Sequence, residues 1–243
     1  MNLILLESTE LDERGSVMLT DHRALHLLAV LKVQPGRDVR IGLLDGPIGT
    51  GRVTTLADEG VRLQCTFGET PPRPPVDLLL AVPRPKVLRR IWAQIAALGV
   101  GRVFLTNAAR VERNYFDTHL LDPRGYRPLL IEGLQQARDT RVPLVSVHRQ
   151  FRVLVEDELG ALADPALRLV ADPGSTEPIE RAIAPVSDPR VLLAIGPEGG
   201  WNAFELDLLR AHGFHGVGLG PRTLRSDTAC VALLALVHDA LRV

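Results

Sequence analysis

Residues 191–201 read VLLAIGPEGGW, and residues 216–225 read GVGLGPRTLR. In each stretch a short, mostly apolar run passes directly into a loop that starts with glycine and proline. Such continuous runs are typical of strands in a parallel sheet that is buried on both faces. Ligands of open α/β sheets bind at the loops beyond the carboxyl ends of these strands. The two stretches therefore predict an α/β fold with a ligand site around Gly196 and Gly220.

The glycines of both loops allow backbone amide and carbonyl groups to approach a flat ligand closely, because no Cβ stands in the way. Each loop taken alone is equally well an ordinary turn. Together they favour a site, because one carries the carboxylate of Glu198 and the other carries Arg222 and Arg225. The sequence has no G-x-x-x-x-G-K-[ST] phosphate loop and no G-x-S-x-G serine nucleophile motif.

Buried runs alternate with helical patterns from residue 76 onward. We predict strands at Val76–Val82, Val100–Thr106, Leu167–Ala171, Val191–Ile195 and Gly216–Leu219. We predict helices at Pro85–Leu98, Arg124–Ala137, Glu177–Ala184, Ala203–Ala211 and Thr228–Leu241. This alternation indicates a mainly parallel sheet that is covered by helices on both faces.

The first 70 residues predict a different, mostly β structure. Short β-prone runs lie at 3–6, 17–19, 38–44, 52–57 and 61–67, with one helix at about 21–31. Short strands with tight turns suggest a compact barrel. The segment Pro71-Pro72-Arg73-Pro74-Pro75 is a stiff, extended spacer. We therefore expect two domains, at residues 1–70 and 76–243.

Composition excludes several classes of protein. The N-terminus MNLILLESTE turns acidic at once and no apolar run reaches about 18 residues, so neither a signal peptide nor a membrane span is expected. The isolated Cys65 and Cys230 fit a reducing cytoplasm and exclude a cysteine zinc site. His22 and His26 lack a third ligand, so no metal is expected.

The net charge of −1 hides an uneven distribution along the chain. Residues 84–152 contain 13 Lys and Arg against 5 Asp and Glu, whereas the segments on both sides are acidic. A basic middle segment favours an anionic partner such as RNA, although a codon bias toward Arg would enrich arginine as well. Arg84 and Lys86, at its start, are candidates for holding phosphates, as are Arg138 and Arg141 further along.

The pair IGPEGGW at 195–201 and LGPRTLRSDTA at 219–229 resembles the uridine-N3 methyltransferases of small-subunit ribosomal RNA, the RsmE family of the SPOUT superfamily. Segments 30–36, 83–100 and 134–143 share the resemblance, which thus covers the whole chain. It implies an N-terminal PUA-like β-barrel and a C-terminal α/β SPOUT domain with a trefoil knot at about 190–240. It also implies a cytoplasmic homodimer that acts on ribosomal RNA or the small ribosomal subunit.

The resemblance further implies S-adenosylmethionine as the cofactor. Carried onto this chain, the cofactor contacts would be Leu169, Val170, Ala171, Asp172, Ile195, Gly196, Pro197, Glu198, Gly199, Leu219, Gly220 and Leu224. The family usually has Thr-Glu-Thr where this chain has Ser226-Asp227-Thr228. The cofactor loops are intact, whereas this departure lies on the RNA-facing side.

Methylation at N3 of a uridine requires a proton acceptor and a cation near the oxygens that gain charge. Arg225 and Arg222 are candidates for the cation, and Asp227 or Glu198 for the acceptor. Asp227 could instead cap the last helix or interact with its dipole.

Other functions and another role for the last helix remain open at this point. The helix offers Val231, Leu234 and Val237 as an apolar stripe, either for a dimer or for its own sheet.

The protein could methylate another nucleotide, bind RNA without catalysis, or act on a small molecule. Intact glycines in both loops argue against binding alone, and the basic segment argues against a small substrate.

Overall fold

The computed structural model of the protein describes residues 2–57, 60–163, 167–183, 190–220, 222 and 224–241. The chain forms two compact units. The first comprises the residues up to Arg73 together with Ile131–Val142, and the second comprises Pro74–Leu130 together with the residues from Pro143 on. The segment Ile131–Val142 thus joins the first unit, although it lies within the stretch predicted as the second domain.

The first unit contains a five-stranded, curled sheet. Its strands are β1 (Ile4–Leu6), β2 (Ser16–Leu19), β3 (Asp38–Leu43), β4 (Ile48–Ala57) and β5 (Gly60–Phe67), in the order β1-β3-β4-β5-β2. The pair β1–β3 is parallel and the other pairs are antiparallel. A short 3-10 helix lies at Ser8–Glu10, and helix α1 (His22–Leu25) continues into a π-helical turn at His26–Val30.

Apolar side chains that alternate along these strands form the core of the first unit. Leu6, Leu19, Ile41 and Leu63 are fully buried. Strand β4 begins four residues before its predicted start. The prediction missed these first residues because two of them are glycines, which have a low β propensity. A Cβ at Gly49 would lie 2.1 Å from the Thr66 carbonyl oxygen, so pairing with β5 requires glycine there.

The second unit contains a six-stranded sheet in which every neighbouring pair is parallel. Its strands are β6 (Val76–Ala81), β7 (Val100–Thr106), β8 (Leu144–His148), β9 (Leu167–Ala171), β10 (Val191–Ile195) and β11 (Phe214–Val217), in the order β11-β9-β10-β6-β7-β8. All residues of β6 and β10 are buried. The predicted α/β class with a mainly parallel sheet is confirmed.

Helices connect the successive strands of the parallel sheet and follow the last of them. They are α2 (Pro85–Ala97), α3 (Pro123–Ala137), α4 (Phe151–Val153), α5 (Leu159–Leu162), α6 (Ile179–Ile183), α7 (Ala203–Ala211) and α8 (Ser226–Leu241), with a π-helical turn at Leu154–Glu158 and 3-10 turns at Arg113–Asp117 and His119–Leu121. None of the helices in the described part of the chain is long and apolar enough to span a membrane.

The sequence missed strand β8 and the helical segment 151–162. Strand β8 forms the edge of the sheet, and Leu144 and Val147 are exposed, so its pattern lacks the continuous apolar run of a central strand. Strand β11 begins two residues before its predicted start. Its pairing with β9 starts at Phe214, which lies opposite Arg168.

The apolar stripe of α8 faces its own unit. Leu234 and Val237 are fully buried, and α8 packs against α2 and α6. The interpretation of this stripe as a dimer face is therefore wrong for these two residues, which are buried within their own unit, where α8 also contacts β6 and β10 of the sheet. Val231 is only partly buried.

Candidate active site

The carboxyl ends of β9, β10 and β11 lie side by side, because β9 pairs with β10 on one edge and with β11 on the other. The loops after these strands and the first half of α8 enclose a cavity of about 310 Å³. Its walls consist of Ala171, Asp172, Pro173, Ile195, Gly196, Pro197, Glu198, Gly199, Gly200, Trp201, Val217, Gly218, Leu219, Gly220, Arg222, Leu224, Ser226, Ala229 and Leu233. This volume is within the range of pockets that bind small molecules and cofactors.

Most residues predicted to contact a cofactor lie in these walls. They are Ala171, Asp172, Ile195, Gly196, Pro197, Glu198, Gly199, Leu219, Gly220 and Leu224. The structure does not bring Leu169 and Val170 to the cavity, because both are fully buried inside β9.

Sequence reasoning missed the contribution of α8 to the cavity. Ser226, Ala229 and Leu233 line it from one face of the helix. Their spacing of three and four residues is the spacing of one helical face, and this signal could have identified them. Trp201, next to the glycine loop, also lines the cavity and packs on Phe151 with ring centroids 5.2 Å apart.

The two glycines at the centre of the prediction serve different needs. A Cβ at Gly196 would lie 3.1 Å from the backbone nitrogen of Trp201 and 3.3 Å from the carbonyl carbon of Gly200, so the loop would have to shift by a few tenths of an ångström to accept it. Gly220 has φ +87° with open space around its Cβ position. Its glycine is required by the backbone conformation, which L residues with a side chain rarely adopt.

Two polar atoms in the walls of the cavity lack a partner. Ser226 Oγ and Trp201 Nε1 are buried, and neither forms a hydrogen bond within the described part of the chain. Buried polar atoms are almost always paired, so each points to a missing partner such as a bound ligand or water. Since neither atom is open to solvent, a ligand in the cavity would pair with them only after a small shift of these side chains.

Asp172 contributes a carboxylate to the wall whose charge is already balanced. Its Oδ2 accepts a hydrogen bond of 2.8 Å from the Arg210 guanidinium, and its Oδ1 accepts one of 2.8 Å from the Gly174 amide. The side chain is therefore fixed in the loop after β9.

The loop that contains Glu198 contacts the ends of two further strands. Glu198 Oε1 accepts a hydrogen bond of 3.1 Å from the backbone amide of Arg84, the residue before α2. The Arg110 guanidinium, in the loop after β7, donates to the Gly199 carbonyl. Glu198 is thus partly engaged in holding the loop, which its sequence motif did not indicate.

Asp227 lies outside the cavity walls and forms an ion pair with Arg90 on α2. Its other oxygen accepts a hydrogen bond of 3.1 Å from the Thr228 amide. Burial raises the pKa of Asp227, but the hydrogen bonds from Arg90 and the Thr228 amide outweigh it and hold the pKa below the usual value. Sequence reasoning offered chemistry or helix capping for this residue and missed the ion pair.

The candidate cations differ in their surroundings. Arg222 is exposed and lies in the cavity wall, whereas Arg225 is exposed outside it. Arg84 and Lys86 are exposed at the start of α2, where hydrogen bonding to Tyr115 raises the pKa of Arg84.

Arg138 and Arg141 belong to the first unit. Arg138 is exposed with φ 63°, and Arg141 is half-buried and donates a 2.8 Å hydrogen bond to the Asp45 carbonyl. Within the described residues, no cluster of His, Cys, Asp or Glu could hold a metal ion.

A parallel α/β sheet with a cavity between glycine-rich strand-end loops defines an α/β protein that binds a small, partly polar ligand. Residues 70–238 match the model of the RNA methyltransferase domain family. Ribosomal RNA small subunit methyltransferase E of Treponema pallidum (strain Nichols) is 31% identical over 243 residues, covering 98% of this chain and 90% of that protein. The chain belongs to the RNA methyltransferase family, in the branch of the small-subunit ribosomal RNA methyltransferases E.

Other relatives agree with this membership. The protein of the same name from Mycobacterium bovis (strain ATCC BAA-935 / AF2122/97) is 28% identical and covers 93% of this chain and 88% of its own length. Among solved structures, a Legionella pneumophila protein in complex with S-adenosylmethionine has a TM-score of 0.76 at 22% identity, with 98% and 97% coverage. The small subunit methyltransferase E of Neisseria gonorrhoeae, bound to S-adenosylmethionine, has a TM-score of 0.72 at 21% identity, with the same coverage.

Proposed function

We propose that this protein transfers a methyl group from S-adenosylmethionine to small-subunit ribosomal RNA, and that the acceptor is N3 of a uridine. The observation that carries the proposal is the cavity between the loops at Gly196 and Gly220, with its two unpaired polar atoms. Relatives that match almost the whole chain are named as small-subunit ribosomal RNA methyltransferases, which disfavours both a non-catalytic RNA-binding protein and a small-molecule enzyme.

S-adenosylmethionine fits the residues of the cavity. The apolar walls from Ile195, Leu219 and Leu233 suit a flat ring, and the unpaired Ser226 Oγ and Trp201 Nε1 suit its polar groups. When bound, this cofactor supplies a methyl group on a positively charged sulfur. The protein residues then have to orient the base, accept its proton and stabilise the charge on its oxygens.

Arg222 is our first candidate for stabilising the negative charge that develops on O2 and O4 of the base. It is exposed in the cavity wall, where an extended guanidinium can reach a bound base. Arg225, three residues further along and also exposed, is the second candidate.

Glu198 is the better of the two candidate proton acceptors. Its Oε1 holds the Arg84 amide, while Oε2 receives no hydrogen bond from the described part of the chain. Asp227 is paired with Arg90, and its lowered pKa makes it a weaker base. We assign Asp227 to fixing the start of α8 next to the cavity.

For the RNA, we propose phosphate contacts from Arg84, Lys86 and Arg138, which are exposed cations. Arg141 is the weaker candidate of this group, because it is half-buried and its guanidinium already donates to the Asp45 carbonyl. On the same basis we propose that the protein acts in the cytoplasm.

The finer features of the fold are proposed on the same basis. The curled five-stranded sheet supports a PUA-like barrel, and the position of β9 between the later strands β10 and β11 supports a trefoil knot at about 190–240. We also propose a homodimer that completes each active site. Light scattering at micromolar concentration is expected to give twice the mass of the chain, and a monomer mass would contradict the dimer.

The test of the proposed function is methyl transfer to small-subunit RNA isolated from cells that lack the corresponding methylation. We expect tritium from labelled S-adenosylmethionine to enter the RNA, and mass spectrometry of nuclease fragments to locate it at N3 of one uridine. Fully methylated RNA is the matched control and is expected to accept no label. Binding of the cofactor without methyl transfer to the undermethylated RNA, whether that RNA is free or assembled in the small subunit, would contradict the proposal.

A further inference from the structure

We propose that Glu205 is a positioning residue that fixes the cofactor loop by tying the ends of β7 and β10 together. The inference rests on the proposed function, because it concerns the same cavity. Glu205 lies on α7, does not line the cavity, and is only 3% exposed.

Both carboxylate oxygens of Glu205 are engaged by backbone amides from different parts of the unit. Oε2 accepts a hydrogen bond of 2.8 Å from the amide of Asn202, just after the glycine loop. Oε1 accepts one of 2.6 Å from the amide of Ala109, in the loop after β7 and 96 residues away in sequence. Asn202 Oδ1 in turn accepts a hydrogen bond of 2.8 Å from the Glu205 amide.

A helix cap by itself does not explain this arrangement. In a capping box the glutamate reaches back to one amide at the start of its own helix, and such a group can remain in water. Here the charge is buried, and no ion pair to Glu205 exists among the described residues. Burying a carboxylate is costly unless hydrogen bonds compensate for it, so the second bond, to Ala109, makes the position tenable.

The bond to Ala109 has a second contact beside it. The next residue, Arg110, donates from its guanidinium to the Gly199 carbonyl in the cavity wall. The Glu205–Ala109 bond therefore places Arg110 where it can hold the loop. Trp201, the residue before Asn202, also lines the cavity, and its Nε1 has no hydrogen-bond partner among the described residues. A shift of Glu205 is therefore expected to move both Gly199 and Trp201 in the wall of the cavity.

The decisive variant is Glu205→Gln, because it keeps the shape of the side chain. Its oxygen can accept from one amide, but its NH2 group then faces the other amide, and one buried donor loses its partner. We expect the affinity for S-adenosylmethionine, measured by calorimetry, to fall about 10-fold or more. We expect a shift in the tryptophan fluorescence, to which Trp92 and Trp201 both contribute, without ligand. We also expect a rise in KM for the cofactor that is larger than the fall in kcat.

Two further variants separate positioning from general stability. Glu180→Gln makes the same chemical change at an exposed glutamate on α6 and is expected to leave cofactor affinity unchanged. Glu205→Asp keeps the charge but is one methylene shorter, and we expect it to recover part of the affinity. Affinities are measured well below the Tm of each variant, so that all are folded.

Wild-type protein that binds no S-adenosylmethionine would contradict the proposed function itself. Wild-type binding together with unchanged affinity and KM in Glu205→Gln would overturn the positioning role alone. A lowered Tm with unchanged affinity would also overturn it, because Glu205 would then only stabilise the fold.

Discussion

Asp227 at the start of α8 and Arg90 on α2 form an ion pair across 137 residues of sequence. The Asp227 side chain is 15% exposed, so the pair is shielded from water on one side. Next to it, Ser226 lines the cavity. The pair therefore connects the position of α2 to the wall of the proposed cofactor site.

We expect Asp227→Asn to lower the free energy of unfolding by about 1 kcal/mol at pH 7, as for other partly exposed ion pairs. The folded-state pKa of Asp227 lies below its ordinary value of 3.8, so the pair contributes stability above that value and loses it as the pH falls through the folded pKa. Urea unfolding at pH 7 and pH 3 measures the difference between variant and wild type, which should shrink at the lower pH.

A double-mutant cycle with Arg90→Ala provides the control for this prediction. If the two residues act through each other, the double variant loses less stability than the two single variants together. Strict additivity, or a difference that persists unchanged at low pH, would show that the pair does not stabilise the fold.

Gly220→Val is expected to weaken S-adenosylmethionine binding at least about 10-fold, because a β-branched residue at φ +87° strains the loop by about 1–2 kcal/mol or more. Gly220→Asn is the matched variant, since asparagine adopts positive φ more readily. Calorimetry should rank the affinities as wild type, Asn and then Val. Equal affinities for all three would remove this loop from the site.

Gly196→Ala should also weaken cofactor binding, but through the loop itself. Its Cβ would lie 3.1 Å from the Trp201 amide nitrogen and 3.3 Å from the Gly200 carbonyl carbon, so we expect Trp201 to shift by a few tenths of an ångström even without a ligand. The tryptophan fluorescence of the free protein, to which Trp92 and Trp201 both contribute, should change in Gly196→Ala and remain unchanged in Gly220→Asn. An unchanged spectrum in both would mean that the neighbours of Gly196 yield without moving Trp201.

Arg222→Ala is expected to lower kcat about 100-fold with a small change in cofactor affinity, if its charge acts mainly in the transition state. Single-turnover methylation and calorimetry separate the two effects. Arg225→Ala, outside the cavity wall, is the comparison and should lower kcat less. A larger loss of kcat in Arg225→Ala than in Arg222→Ala would transfer the charge-stabilising role to Arg225. A loss of cofactor affinity without a loss of kcat in Arg222→Ala would make Arg222 a binding residue.

Arg84→Ala and Lys86→Ala are expected to weaken RNA binding and to reduce the slope of log affinity against log salt by about 1 each. Filter binding over a salt series measures both quantities. Arg181→Ala, which removes one exposed charge on α6, is the control and should leave the slope unchanged. Identical slopes in all variants would exclude phosphate contacts at the start of α2.

Several features follow from the sequence because they depend on neighbouring residues. Continuous apolar runs such as 191–195 specify strands that are buried on both faces. The glycines at 196 and 220 mark the loops that line the cavity, because close neighbours at Gly196 and a positive φ at Gly220 both favour glycine. The α/β class and most of the proposed cofactor contacts were therefore predictable.

The tertiary structure alone decided which distant residues meet. Periodicity shows which face of an element is buried, but it does not specify the partner of a polar side chain, since the order of the strands sets that. The contacts of Asp227 with Arg90 and of Glu205 with Ala109 join segments that are 137 and 96 residues apart. The assignment of 131–142 to the first unit arises in the same way, from packing between segments that are distant in the chain.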